Sequence, residues 1–156
     1  LFPVHLNPEV RREVAAQLRG HDSIRLVEPL RYLDFVHLLG RAWTVVTDSG
    51  GIQEEAPSFQ IPIVITRETT ERPEVVEAGF GHLVGSDPDA IVASVRRLTA
   101  GSQPTRVKGV SPFGDGFAAE RIVSALLSPQ QPGASVQIGT GHSEPADSAP
   151  TPTAAL

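Results

Sequence analysis

The sequence predicts an α/β fold, a doubly wound parallel sheet, on three observations. Mainly apolar runs of strand length recur at residues 24–27, 43–47 and 61–66. Patterns with helical spacing stand between them. One of the strands also runs directly into two glycines and then into helix formers. Strands that are apolar throughout are buried on both faces, and their alternation with helices makes the sheet parallel.

The elements follow in order. Residues 2–5 read as the end of a strand entered from outside the sequence, and with no methionine anywhere in the chain we expect an N-terminal truncation. Asn7, Pro8 and Glu9 make a helix start, with a cap, a proline at the first position and an acid in the first turn. Val10, Val14, Ala15 and Leu18 then form one apolar stripe, and Gly20 stops it. Residues 24–27 are a strand. Tyr32, Phe35, Val36 and Leu39 share one side of the next helix, which ends at Gly40. Residues 43–47 feed the glycine turn, and a short helical pattern after it is closed by Pro57.

Residues 61–66 form the next strand, followed by a polar loop at 67–72. Pro73 opens a short helix, Gly79 stops it, and residues 82–84 make a fifth strand. Asp87 and Pro88 repeat the cap-plus-proline start, with Ile91, Val92, Val95 and Leu98 as the stripe. Residues 99–112 have no period and read as a loop. A last helix carries Ile122, Val123, Leu126 and Leu127. One domain is expected at 1–127, and a disordered tail at 128–156, where Pro, Ser, Gly, Ala and Thr leave almost nothing to bury.

In sheets of this class ligands bind beyond the carboxyl ends of the strands, where the glycine turn and the 67–72 loop both fall. Gly50 and Gly51 place no Cβ between backbone and ligand, and the free N–H groups of a first helical turn favour an anion. Ser49 can cap the helix or donate to a phosphate oxygen, and Glu55 lies about one turn on, within reach of an attached sugar. The plain alternative is a capped helix after a buried strand, with no ligand. A dinucleotide fingerprint is weaker, since its glycine spacing is absent. Asp48-Ser49-Gly50-Gly51 also resembles the nucleophile segment of chymotrypsin-like proteases, but that fold is all-β and here a helical pattern follows the serine.

Composition narrows the function classes. The 156 residues carry a formal charge of −5. All 13 basic residues lie before Ser128, mixed with all but two of the 18 acidic ones, so no basic stripe argues for nucleic acid. The chain has no cysteine, which excludes disulfides, thiolate metal sites and thiol catalysis. No apolar run approaches the roughly 20 residues of a membrane span and no signal segment opens the chain. A cytoplasmic location, with no membrane partner, is the expectation.

Five strings then point further. Pro3-Val4-His5-Leu6-Asn7-Pro8, Tyr32-Leu33-Asp34-Phe35, Thr47-Asp48-Ser49-Gly50-Gly51-Ile52-Gln53-Glu54-Glu55-Ala56-Pro57, Thr69-Thr70-Glu71-Arg72-Pro73-Glu74 and Pro112-Phe113-Gly114-Asp115-Gly116 resemble, in order and spacing, the non-hydrolysing UDP-N-acetylglucosamine 2-epimerases. The resemblance spans residues 2–127. It implies a GT-B architecture, two Rossmann-like domains with the active site in the cleft, of which this chain looks like most of the C-terminal one.

The resemblance also implies roles. Ser49, Gly50 and Gly51 match the diphosphate seat, Glu55 the carboxylate that receives the ribose hydroxyls, Phe35 the residue beside the uracil and Arg72 an arginine near the nucleotide. Taken alone, Phe35 would be core packing and Arg72 a solvated charge paired with Glu71 or Glu74. Leu30 stands where some members carry a glutamine at the base, which weakens it as a side-chain contact. His5 lies near a region associated with regulatory substrate binding, although a buried, satisfied histidine is an equal reading.

The family reaction inverts C2 of the sugar by eliminating UDP to a glycal and adding it back, interconverting UDP-N-acetylglucosamine and UDP-N-acetylmannosamine. The resemblance implies no cofactor, no metal and a homodimer for the complete enzyme. The family's catalytic carboxylates lie upstream of the region matched, so no acid or base is assigned to Asp48, Glu54 or Glu71. Two other functions stay open: a UDP or UDP-sugar binding module without turnover, and the C-terminal domain of a GT-B glycosyltransferase.

Overall fold

The computed structural model describes residues 1–128; the expected tail, apart from Ser128, lies outside the described residues. Two compact units are present, Leu1–Ala118 and one that begins at Ala119. The first holds strand β1 (Phe2–Pro3), helix α1 (Pro8–Leu18), β2 (Leu26–Val27), α2 (Tyr32–Leu39), β3 (Val45–Thr47), α3 (Gly50–Glu55), a 3-10 turn (Ala56–Phe59), β4 (Ile63–Ile65), α4 (Pro73–Glu77), β5 (Gly81–Leu83) and α5 (Pro88–Leu98). Helix α6 (Ala118–Leu127) carries the second unit, and Ser128 continues its hydrogen bonding onto Ser124.

Among the described residues all strand pairs are parallel, as the apolar runs predict. They form two sheets, a two-stranded β1–β2 pair and a three-stranded sheet in the order β3–β4–β5. Val45, Ile63 and Gly81 lie in register across the larger sheet. Its middle strand has every residue buried, which is why 61–66 contains no polar residue before Thr66.

The helix starts form as their sequences predict. Asn7 accepts the Glu9 N–H at 2.9 Å, and Asp87 accepts that of Asp89 at 3.0 Å, each with proline in the first turn. Pro57 does not close the helix after the glycine turn. The α-helix ends at Glu55 and the chain tightens into the 3-10 turn, where Pro57 occupies an early position that needs no N–H donor. The stop comes at Gln60, in the left-handed conformation at φ 59°.

The core lies on one face of β4. Leu39, Ala56, Ile61, Ile63, Ile65, Val75 and Phe80 are buried together, with Phe35, Ala42, Val45, Phe59 and Val107 packed against them. Gly81 is needed for that packing, since a Cβ there would stand 2.8 Å from Ile65 Cδ1 and 3.0 Å from Val75 Cγ1. The 99–112 loop is aperiodic but anchored. Arg106 donates to the carbonyls of Ala42 at 2.8 Å and Gly40 at 3.3 Å, where the end of α2 leaves acceptors free.

Candidate functional site

The chain turns from β3 into α3 through a hydrogen-bonded corner. Thr47 Oγ1 accepts the Ser49 N–H at 3.0 Å, and the Thr47 carbonyl accepts that of Thr66, so the ends of β3 and β4 are held side by side. Ser49 takes the N-cap position with extended backbone, yet its side chain makes no capping hydrogen bond. The cap reading of Ser49 therefore fails at the hydroxyl. The serine stands at the helix mouth without doing the cap's work.

Gly50 and Gly51 are the first two residues of α3, and neither has a positive φ. A Cβ on Gly51 would meet only Ser49 Oγ, at 3.9 Å; one on Gly50 would meet the Arg72 guanidinium at 3.6 Å, an ordinary contact. Neither backbone conformation nor packing requires glycine here. Glycine at the first two helical positions escapes the full penalty of roughly 0.5–1 kcal/mol that it carries in a helix interior, and among the described residues no contact calls for it. What it provides is bare backbone beside the unpaired amides of a first turn.

The glycine turn and the 67–72 loop, which the sequence places beyond the strand ends, do meet. Arg72 comes over the turn from the β4–α4 loop. Its Nε donates to Glu54 Oε1 at 2.5 Å and its Nη1 to Glu71 Oε2 at 3.3 Å. Its principal partner is thus Glu54, across the turn, where sequence proximity pointed to Glu71 or Glu74. Glu54 raises the Arg72 pKa still further above its ordinary value, first through that hydrogen bond and then through its charge, so the guanidinium is permanently cationic. Nη2 makes none of these bonds and lies 3.6 Å from the position of a Gly50 Cβ.

The remaining sequence candidates divide. Glu55 is half-buried on α3, on the same short helix as the glycines. Phe35 is half-buried and packs against the core, the ordinary role of an aromatic on that stripe. Leu30 is half-buried between β2 and α2. His5 is exposed, so it is not the buried histidine of the alternative reading, and its Nδ1 accepts the Asn7 N–H at 3.1 Å.

Sequence reasoning missed Gln53. It is fully buried, and its carboxamide bonds both loops: Nε2 donates to the Ser49 carbonyl at 3.3 Å, and Oε1 accepts Thr70 Oγ1 at 2.6 Å. The available signal was its spacing from Ala56 and Pro57, three and four residues on, which puts a polar side chain on the buried face of the helix. The turn itself is partly exposed, with Ser49, Gly50, Glu54 and Glu55 half-buried and Gly51 exposed. A depression of about 320 Å³ beside Pro57, Gln60 and Gly114, and another of about 290 Å³ beside Arg11 and Glu28, share no residue with it.

Known proteins share this framework. The family model described as UDP-N-acetylglucosamine 2-epimerase matches residues 1–127. The UDP-N-acetylglucosamine 2-epimerase of Yersinia pestis is 48% identical over 134 residues, covering 83% of this chain and 35% of its own length. That of Escherichia coli K12 is 47% identical over 128 residues, covering 81% and 34%. Among solved structures, the Staphylococcus aureus MnaA–UDP co-structure superposes with a TM-score of 0.73 at 41% identity, over 80% of this chain and 34% of that one. The Neisseria meningitidis UDP-GlcNAc 2-epimerase bound to UDP-GlcNAc gives 0.71 at 41% identity, over 81% and 35%.

The chain spans about a third of the length of these relatives. Its parallel sheets and flanking helices are Rossmann-like, of the kind that makes up half of a GT-B architecture. By a match that runs from residue 1 to residue 127, this chain belongs to the UDP-N-acetylglucosamine 2-epimerase family.

Proposed function

We propose that this chain is the UDP-binding part of an enzyme that interconverts UDP-N-acetylglucosamine and UDP-N-acetylmannosamine. The diphosphate sits on Ser49, Gly50 and Gly51, receiving the first-turn amides and the Ser49 hydroxyl, with Arg72 Nη2 closing over it. Glu55 accepts the ribose hydroxyls, which suits an acceptor-only side chain, and Phe35 stands beside the uracil, where its flat apolar face can stack. His5 belongs to a regulatory substrate contact. The observation that carries the reading is the glycine pair, which has no conformational or packing reason among the described residues and suits close approach of a diphosphate.

In this role the chain assists departure of UDP from the sugar. Amides and a guanidinium aimed at the leaving diphosphate stabilise the charge that develops when the bond from the anomeric carbon breaks. Proton transfer at C2 is a separate requirement, and no residue described above is assigned to it. The exposed backbone of Gly51 leaves a ligand room to approach the turn.

Calorimetric titration of UDP, its deoxyribose analogue dUDP and inorganic diphosphate tests the reading. Gly51→Val should abolish binding of UDP and of diphosphate while the chain stays folded, because the branched side chain takes the phosphate position. Glu55→Gln should weaken UDP by roughly 1–3 kcal/mol and leave diphosphate unchanged. dUDP should bind the parent more weakly than UDP, with a smaller difference in Glu55→Gln, since both changes delete one interaction. A folded Gly51→Val that binds UDP as the parent does would reduce the turn to a helix start.

A further inference from the structure

Resting on the UDP-site reading, we propose that Gln53 and Thr70 form a buried strap that sets the position of Arg72 over the glycine turn, making both of them positioning residues for the diphosphate. The connection is continuous. The Ser49 carbonyl accepts Gln53 Nε2, Gln53 Oε1 accepts Thr70 Oγ1, and Thr70 Oγ1 in turn accepts the backbone N–H of Arg72 at 3.1 Å. One carboxamide and one hydroxyl thus span from the residue before the glycines to the arginine above them. Nothing in the primary structure joins these points, since Gln53 and Thr70 lie 17 residues apart.

The chemistry of position 53 favours a strap over simple filling. Its side chain is fully buried between α3 and the 67–72 loop, a place where an apolar residue of equal length would avoid the desolvation cost of an amide. Glutamine alone among residues of that shape both donates and accepts, which the two partners require: a carbonyl on one side and a hydroxyl proton on the other. The Thr70 hydroxyl is then oriented, with its proton on Gln53 and its lone pair on the Arg72 amide. Glu54 receives Arg72 Nε beside it, so the guanidinium is held from its backbone and from its side chain together.

The strap acts on where the cation stands, and its loss is read in affinity for the diphosphate. Thr70→Val keeps the shape and deletes both hydrogen bonds; Gln53→Met keeps the length and deletes the amide; Thr70→Ser restores the hydroxyl. Titrations of the full chain with UDP and with inorganic diphosphate, well below each variant's melting temperature, should show roughly tenfold weaker binding of both ligands for Thr70→Val and Gln53→Met. Thr70→Ser should stay within about twofold of the parent, and the double variant should lose little more than either single one. A merely structural bond would lower the melting temperature and leave these affinities alone.

Each result decides something. If the parent binds UDP and folded Thr70→Val binds it equally well, the strap is overturned and the site reading survives. Equal losses in Thr70→Ser and Thr70→Val also overturn it. A folded parent that binds neither UDP nor diphosphate removes the site reading and the strap with it. Gln53→Met fills a core position and could unfold the chain; Thr70→Val, on a half-buried loop residue, then carries the test.

Discussion

Glycine at position 51 is a residue chosen against the helix it begins. Its Cβ direction is open, so Gly51→Ala should fold, and by restricting the unfolded chain it should raise stability by roughly 0.4–1 kcal/mol. On the proposed site the same methyl group would stand in the way of a phosphate oxygen, so UDP affinity should fall as the melting temperature rises. A thermal melt and a titration on one variant check both signs. A variant improved in both would contradict the role given to the glycines. Phe35 poses a related question, since it packs against the core and is also the residue expected beside the uracil. Phe35→Leu retains most of the apolar contact, so stability should drop by about 1 kcal/mol or less. UDP should weaken while inorganic diphosphate binds as before. Equal affinities for UDP in parent and variant would leave Phe35 as packing alone.

At the scale of elements, β4 is the fixed centre, and what packs on it tolerates little. Gly81 opens β5 at a point where Ile65 and Val75 already occupy the space of a side chain. Gly81→Ala should therefore cost roughly 1–3 kcal/mol in a denaturant melt, and Ile65→Val should recover part of that loss. An unaffected melt would mean that α4 moves off the sheet freely. The same strand holds His82, whose Nδ1 lies 3.3 Å from Arg97 Nη2 on α5. Burial, and then the positive charge of Arg97, lower the His82 pKa from its ordinary 6.5. The unfolded chain consequently takes up a proton that the folded chain resists. Above about pH 6.5 the residue adds no penalty; as pH falls through that value the folded state loses stability relative to the unfolded one. His82→Gln should flatten the stability profile between about pH 7.5 and 5.5 relative to the parent, measured by chemical denaturation at each pH. Parallel profiles for parent and variant would show that His82 is not responsible.

For the molecule as a whole, the division between binding a leaving group and moving a proton gives the strongest expectation. The isolated 156-residue chain should show no measurable epimerase activity, because general acid–base assistance at C2 is worth on the order of 10²–10⁴ in rate and no group here is assigned to it. Incubation with UDP-N-acetylglucosamine in deuterated water should leave C2 unlabelled. Clear incorporation would place an acid or base among these residues, with Glu54 and Glu71, both already on Arg72, as the first to substitute.

Much of this was determined by sequence alone. Five strands and six helices follow from apolar period and from local punctuation such as Asn7-Pro8 and Asp87-Pro88, because those signals act within a turn or a strand length. The glycine turn was equally legible, since a strand feeding two glycines is a local event. Tertiary structure alone decided which groups meet. That Arg72 reaches Glu54 as well as its expected neighbour Glu71, that Pro57 sits inside a 3-10 turn, and that Gln53 is buried between two loops all depend on β3 and β4 lying side by side. Parallel pairing brings together residues 17 and 18 apart through a crossover whose geometry no local pattern encodes. Hydrogen-bond partners across such a crossover are set by the packed sheet, which is why the strand, glycine turn and helix could be read locally and the Ser49–Gln53–Thr70 hydrogen bonds could not.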